Sequence, residues 1–340
     1  MIAHDARTFD AAGDGMRGGT SGGPVVILVT GGLGFIGANV ARELVDAGED
    51  VVVTKHRSSY VSPLLADLPG RELVVEPLDV TDQGAVVSLL RRHDVDSVVH
   101  LAAPARSGLT AVEELRSSVG ALFGVVAACA EVGVRRLTVG SSLRVYGNPA
   151  VGSGHEDQPL PLETNDAIQS VKIAEQALGT YLAHTEGLDT VFLRLAVIYG
   201  PGYRSLLNVA GRLCRLAISG PGNGDALADP LAGNPEDAWD LCYVRDCARA
   251  VRLVHTAERL AHRVYNVGTG APTTLHDLVA ALNAALPSAG LELAPGGRPV
   301  SRPGAVMSVE RLEEDVGYRP AWDVRAGVAD YVEWLGTHEW

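Results

Sequence analysis

The 340 residues predict a doubly wound parallel α/β sheet, and three observations carry that expectation. Short apolar, β-rich runs at Val25 to Val29, Val51 to Val53, Leu73 to Val75, Ser97 to His100, Leu137 to Gly140 and Thr190 to Leu195 alternate with helical stretches. Strands that alternate with helices pair in parallel through right-handed crossovers. A glycine-rich turn links the first run to the first helix. The hydrophobic content of 46% is enough for a packed core.

Taken in order, Val25 to Val29 is five apolar residues, mostly β-branched, as a strand buried on both faces requires. Thr30-Gly31-Gly32-Leu33-Gly34-Phe35-Ile36-Gly37 follows, and Ala38 to Ala47 reads as a helix closed by Gly48. Such glycines allow a tight turn and a close approach to a pyrophosphate, whose charge meets the amides and dipole of the helix N-terminus. Two spacings fit, one through Gly31, Gly34 and Gly37 and one through Gly32, Gly34 and Gly37, and the glycines alone do not choose between them. After Tyr199 the alternation loosens into a Gly, Pro and Asp rich stretch, Ser219 to Asp237, expected to be a mobile loop. A strand-like Leu241 to Val244, helices at Asp246 to Ala257 and Leu275 to Leu286, and a proline-rich connection from Pro287 to Pro303 complete the pattern.

Composition excludes several classes. A net charge of −13 is opposite to what a nucleic-acid surface needs. Residues 1–24 are glycine-rich, without an apolar run, and are expected to be a disordered tail and neither a signal peptide nor a membrane span. Cys129, Cys214, Cys242 and Cys247 have no metal-ligand spacing and fall in apolar or helical stretches, which suits buried free thiols in a reducing cytoplasm. No metal is expected.

Further motifs follow the strands: Asp79-Val80, His100-Leu101-Ala102-Ala103, Ser141-Ser142-Leu143-Arg144-Val145-Tyr146-Gly147, Arg194-Leu195-Ala196-Val197-Ile198-Tyr199-Gly200-Pro201-Gly202, Tyr243-Val244-Arg245-Asp246 and Tyr265-Asn266-Val267-Gly268-Thr269-Gly270. Together, from about Val25 to about Trp334, these resemble the extended short-chain dehydrogenase/reductase family, which includes sugar-nucleotide epimerases and dehydratases and dihydroflavonol-type ketone reductases. The resemblance implies a Rossmann domain over 25–195, rejoined by 240–270, and a smaller interleaved substrate domain from 196–239 and 271–340. It further implies a cofactor site from Gly31, Gly34, Phe35, Ile36, Gly37, Asp79, Val80, Leu101, Ala102, Ala103, Lys172 and Ala196, with Asp79 accepting from the adenine amino group. Asp79 also suits an ordinary helix cap.

In dinucleotide folds an acidic residue ending the second strand binds the ribose hydroxyls of NAD. Here that position is Lys55, followed by His56 and Arg57. Lys55 and Arg57 would pair with the 2′-phosphate that a carboxylate repels, so NADP(H) is the expected cofactor.

The family relay of Asn, Ser, Tyr and Lys maps onto Ser118, Ser142, Ile168 and Lys172. Two of the four are changed, and isoleucine moves no proton. Removal of a positioned general acid costs about 10² to 10⁴ in rate. Positions where sugar-nucleotide enzymes of the family carry Asn and Arg for the diphosphate hold Val197 and Trp239, which suit a flat apolar ligand, although Arg302 is kept. The lost tyrosine is similar to that of an atypical angucyclinone ketoreductase of simocyclinone-type antibiotic biosynthesis. The expectation is an NADPH-dependent ketoreductase acting on a bulky aromatic, polyketide-like ketone, with a proton supplied by a phenol of the substrate. The alternatives are a nucleotide-sugar epimerase or dehydratase with another acid/base, and an inactive NADP(H)-sensing protein. Tyr203, Arg204, Arg144 and His155 are other candidate acids, with Glu156 and Asp157 read as loop caps. Expected partners are the small-molecule ketone and a second copy in a homodimer, with no nucleic acid and no membrane.

Overall fold

The computed structural model describes residues 25–56, 62–68, 72–103, 109–147, 154–164, 166–220, 229–294 and 306–338. The 1–24 tail, Arg57, Arg302 and parts of the two Pro/Gly-rich connections lie outside these.

Strands β1 (Val26–Thr30), β2 (Asp50–Lys55), β3 (Leu73–Pro77), β4 (Ser97–His100), β5 (Arg136–Ser142), β6 (Thr190–Leu195) and, much later, β10 (Val264–Val267) form one parallel sheet ordered β10-β6-β5-β4-β1-β2-β3. Chain order reverses between β1 and β4, where Thr30 lies in register with His100. Ligands of doubly wound sheets bind at such a switch point, beyond the carboxyl ends of the strands.

Helices α1 (Phe35–Asp46), α2 (Gln83–Arg92), α3 (Ala111–Val132) and α4 (Ala167–Glu186) provide the crossovers. Their ends follow local chemistry. Asp82 caps α2 by accepting from the Ala85 amide at 3.0 Å, and Arg91 and Arg92 meet the negative end of its dipole. Thr110 and Glu113 form a reciprocal capping box on α3, which stops at the left-handed Gly133. Helix α1 begins three residues earlier than the apolar periodicity suggests, at Phe35, because Gly34 serves as an N-cap without a side chain.

The smaller region holds α5 (Val209–Ser219), α7 (Leu275–Ala285) and α9 (Val324–Thr337), whose apolar faces meet in a separate core around Leu213, Leu278, Leu282 and Tyr331. Two short pairs join it, β7 (Val197–Tyr199) with β9 (Leu241–Tyr243) and β8 (Ala238–Trp239) with β11 (Thr273–Thr274). In between, α6 (Val244–Thr256) returns to pack on α1. Within 271–340, Met307, Leu312 of α8 (Glu310–Val316) and Tyr318 pack into the first core beside Tyr265 and Val267.

A buried polar network holds this interleaving. The Tyr146 hydroxyl donates to Asn266 Oδ1 at 2.6 Å and accepts from the Arg194 guanidinium at 2.8 Å. The Asn266 amide donates to Glu156 Oε1 at 2.9 Å. Asp246 likewise accepts from the amides of Ala321 and Trp322, which explains that motif without catalysis. Glu156 is thus a buried acceptor in this network, and Asp157 is ion-paired with Arg311. The four cysteines are buried free thiols, and burial pushes those of Cys129 and Cys247 up to about 12.

Two buried histidines link the sheet to its surroundings. His255 bridges Thr138 at 2.9 Å and Ser97 at 2.9 Å, and His100 bonds Thr30 at 2.8 Å. Burial holds both neutral, at about 3; the Lys172 charge adds to the effect on His100, and those of Arg135 and Arg136 add to the effect on His255. A folded-state value below the unfolded value of about 6.5 gives stability that is complete above pH 6.5 and lost as pH falls from there toward 3. Between pH 7.5 and 5.5 the pair is expected to cost about 2 to 3 kcal/mol, read as a falling urea midpoint. His255→Gln should roughly halve that pH dependence; an unchanged slope would exclude His255 as its source.

Candidate active site

The glycine turn is held by contacts that leave no room for side chains. Gly31 has φ +68°, and a Cβ there would lie 2.9 Å from the Ala102 backbone. A Cβ on Gly37 would meet the Gly31 carbonyl oxygen at 2.2 Å, so helix α1 is seated directly on the turn. The Gly34 amide donates to the same carbonyl at 2.9 Å, and the Gly31 amide donates to Thr54 Oγ1 at 3.2 Å. The N-terminus of α1 has no capping side chain and no acidic residue in its first turn. Its amides and dipole are therefore presented to an anion.

In front of this turn lies a cleft of about 640 Å³. Gly31, Gly34 and Phe35 form its floor; Lys55 and His56 come from the end of β2, Asp79 and Val80 from the end of β3, and Leu101, Ala102 and Ala103 from the end of β4. Ten residues expected from sequence thus converge on one cleft. Ile36, Gly37, Lys172 and Ala196 do not line it: Gly37 acts through its packing on Gly31, Lys172 is bonded to Gly140 and Glu175, and Ala196 is buried in the first core. Asp79 accepts from the amide and hydroxyl of Thr81 and lies 3.4 Å from His56, while exposed Lys55 makes no ion pair with the described residues. The cleft also draws on Thr54, Thr81, Ser117 and Tyr203, Arg204 and Ser205. Tyr203 and Arg204, named from sequence as candidate acids, reach it with Ser205 through two anchors. Asn39 of α1 donates to the Pro201 carbonyl at 3.0 Å, and Tyr203 packs edge-on against Phe35 with centroids 5.0 Å apart.

None of the four residues mapped onto the relay lines the cleft. Ser142 ends β5, and its oxygen accepts from the Arg144 amide at 3.2 Å, which leaves its own proton available to donate. Lys172 Nζ donates to the Gly140 carbonyl at 2.9 Å and to Glu175 Oε2 at 2.7 Å. Glu175 is buried, and no sequence signal marked it as the partner of Lys172. Ile168 is half-buried in the first turn of α4, one helical turn before Lys172. Asp166 caps that turn by accepting from the Ile168 amide at 2.8 Å and is paired with Arg144. Burial pushes the Asp166 carboxyl up, but the bonds from Gln169, Arg144 and Ile168 outweigh it and hold it below its usual range. Ser118 is buried on α3. Val197 and Trp239 are half-buried against the second core, so packing accounts for their apolar character without a ligand. Among the described residues no cluster of His, Cys, Asp and Glu is arranged for a metal ion.

Residues 27–268 match the model of the NAD dependent epimerase/dehydratase family. The chain is 31% identical over 329 residues to a dTDP-glucose 4,6-dehydratase of Streptomyces griseus, covering 92% of this chain and 94% of that protein. Among solved structures it is similar to UDP-glucose 4-epimerase from Thermotoga maritima with UDP-glucose, at TM-score 0.75 and 23% identity over 92% of this chain and 99% of that one. It is also similar to MoeE5 in complex with UDP-glucuronic acid and NAD, at TM-score 0.73 and 27% identity, covering 91% and 98%.

Because a Cβ at position 37 would meet the backbone of Gly31 and Gly32, Gly37→Ala is expected to lose about 1 to 3 kcal/mol of stability and to abolish dinucleotide binding. Gly120→Ala, in α3 with open space around it, should leave stability equal or slightly raised. Thermal unfolding and quenching or enhancement of reduced-nicotinamide fluorescence read both; a Gly37→Ala protein that binds normally would contradict the seating of α1.

Proposed function

The chain belongs to the NAD dependent epimerase/dehydratase family, and from that premise we propose that it is a nicotinamide-dinucleotide oxidoreductase acting at a C–O centre without a tyrosine acid. The observation that carries this reading is the retained Ser142 and Lys172 with Ile168 one turn before the lysine. When bound, the nicotinamide would donate or accept the hydride. Ser142, its oxygen already engaged by the Arg144 amide, would donate to the substrate oxygen and orient it. Lys172 would hold the ribose and place positive charge beneath it. Ile168 can only pack, so the proton is assigned to the substrate or to water.

For the cofactor, Lys55 and His56 favour NADP(H), since neither offers the carboxylate that NAD recognition uses at that place. For the substrate, the named activities of the relatives favour a nucleotide sugar, processed with an altered acid/base. Ile168 favours a second reading, reduction of an aryl ketone whose own phenol supplies the proton. The packing of Val197 and Trp239 removes part of the support for it. Association as a homodimer is supported by α3 and α4, which expose Leu115, Phe123, Leu178 and Tyr181.

The decisive assay offers dTDP-glucose and UDP-glucose, each with NAD⁺ or NADP⁺, beside an aryl ketone with an adjacent phenol and its O-methyl ether, each with NADPH. Conversion of a sugar nucleotide supports the first reading; turnover of the phenol and not the ether supports the second. Ser142→Ala and Lys172→Ala should each lower kcat/KM by about 10² or more on the accepted substrate. Unchanged rates in both variants would refute the site. Ile168→Tyr should raise the rate far less than the several hundredfold expected of a cleft still shaped for the usual relay.

A further inference from the structure

The chain carries 41 acidic and 28 basic residues, yet the cleft reverses this balance. Of the charged residues lining it, Lys55, His56 and Arg204 are basic and only Asp79 is acidic. Lys55 and His56 come from the end of β2, whereas Arg204 comes from the segment that leaves the Gly200-Pro201-Gly202 turn.

That segment is held unusually firmly for an exposed loop. Arg215 of α5 is 2% exposed and spends its guanidinium on three successive carbonyls, those of Tyr203, of Arg204 at 3.3 Å and of Ser205 at 3.2 Å. The Tyr331 hydroxyl donates to the Tyr203 carbonyl at 3.1 Å, and the Asn208 amide donates to the Tyr203 hydroxyl at 3.1 Å. On the other side Asn39 holds Pro201, and a Cβ added at Gly202 would reach Leu64 at 3.4 Å and Phe35 at 3.8 Å. A buried arginine is costly unless its donors are used. Here its two terminal nitrogens are used, and they fix the backbone of a loop that runs from Pro201, held by Asn39 of α1, to the second core.

We propose that Arg204 binds a phosphate of the dinucleotide, so that the smaller domain contributes a specificity residue to the cofactor site. This rests on the functional reading above and deepens it. A guanidinium presents a fork of donors that matches phosphate oxygens, and in a cleft lined also by Lys55 and the start of α1 it would add a third source of donors for an anion. Two phosphates would be candidates for it, a pyrophosphate held by the α1 amides and a 2′-phosphate held by Lys55.

The test is titration of NADPH and NADH, followed by reduced-nicotinamide fluorescence, with wild type, Arg204→Ala, Arg204→Lys and the remote Arg319→Ala. Loss of a charge-assisted contact should raise Kd by roughly tenfold or more in Arg204→Ala, with Arg204→Lys between it and wild type and Arg319→Ala unchanged. Weakening of NADPH alone assigns Arg204 to the 2′-phosphate, and equal weakening of both dinucleotides assigns it to the pyrophosphate; either supports the proposal. Unchanged affinity for both in Arg204→Ala overturns it while leaving the functional reading intact. Wild-type protein that binds neither dinucleotide overturns that reading and this assignment together.

Discussion

The seating of helix α1 on the Gly31 carbonyl is the constraint on which the rest of the site depends. With no side chain at position 37, the helix starts directly against the turn, and its uncapped amides face the cleft. The same helix then organises the second region. Its Phe35 supports Tyr203, its Asn39 holds Pro201, and its Glu43 pairs with Arg252 of α6 at 2.8 Å. A shift of α1 by even an ångström would move the anion site and the loop above it together.

Interleaving of the two regions has a second set of causes, which are polar. Strand β10 joins the sheet late in the chain, and Asn266 in it is held by Tyr146, Glu156, Gly154 and Ser308, from segments far apart in sequence. Arg194 and Asp246 are similarly committed to structure. Several motifs that mark the family in sequence therefore record how the fold closes, and only some touch the chemistry.

The parallel sheet was legible because its strands are short continuous apolar runs and the turn between β1 and α1 has a fingerprint whose glycines are required by contact. The residues at the carboxyl ends of β1 to β4 followed from the family resemblance, together with the rule that ligands lie beyond those ends. What periodicity could not show were the tertiary partners. Glu175 beside Lys172, Asn39 beneath Pro201 and Arg215 behind Arg204 are ordinary residues in ordinary helices until the chain is folded. Val197 and Trp239 illustrate the converse ambiguity, since an apolar residue expected near a cleft is equally suited to the second core. The start of α1 was misjudged because a glycine N-cap leaves no polar signature.

On the proposed reading, Ser142 and Lys172 around Ile168 would place a cofactor and orient a carbonyl, while an isoleucine at position 168 would supply no proton. That reading's central claim is hydride transfer without that tyrosine. The most direct measurement loads the protein with reduced dinucleotide carrying deuterium at the transferring position of C4, adds a 4-keto nucleotide sugar or an aryl ketone, and weighs the product. One deuterium on the new carbinol carbon of either compound is the predicted result; bound cofactor that transfers no deuterium to either would contradict the account.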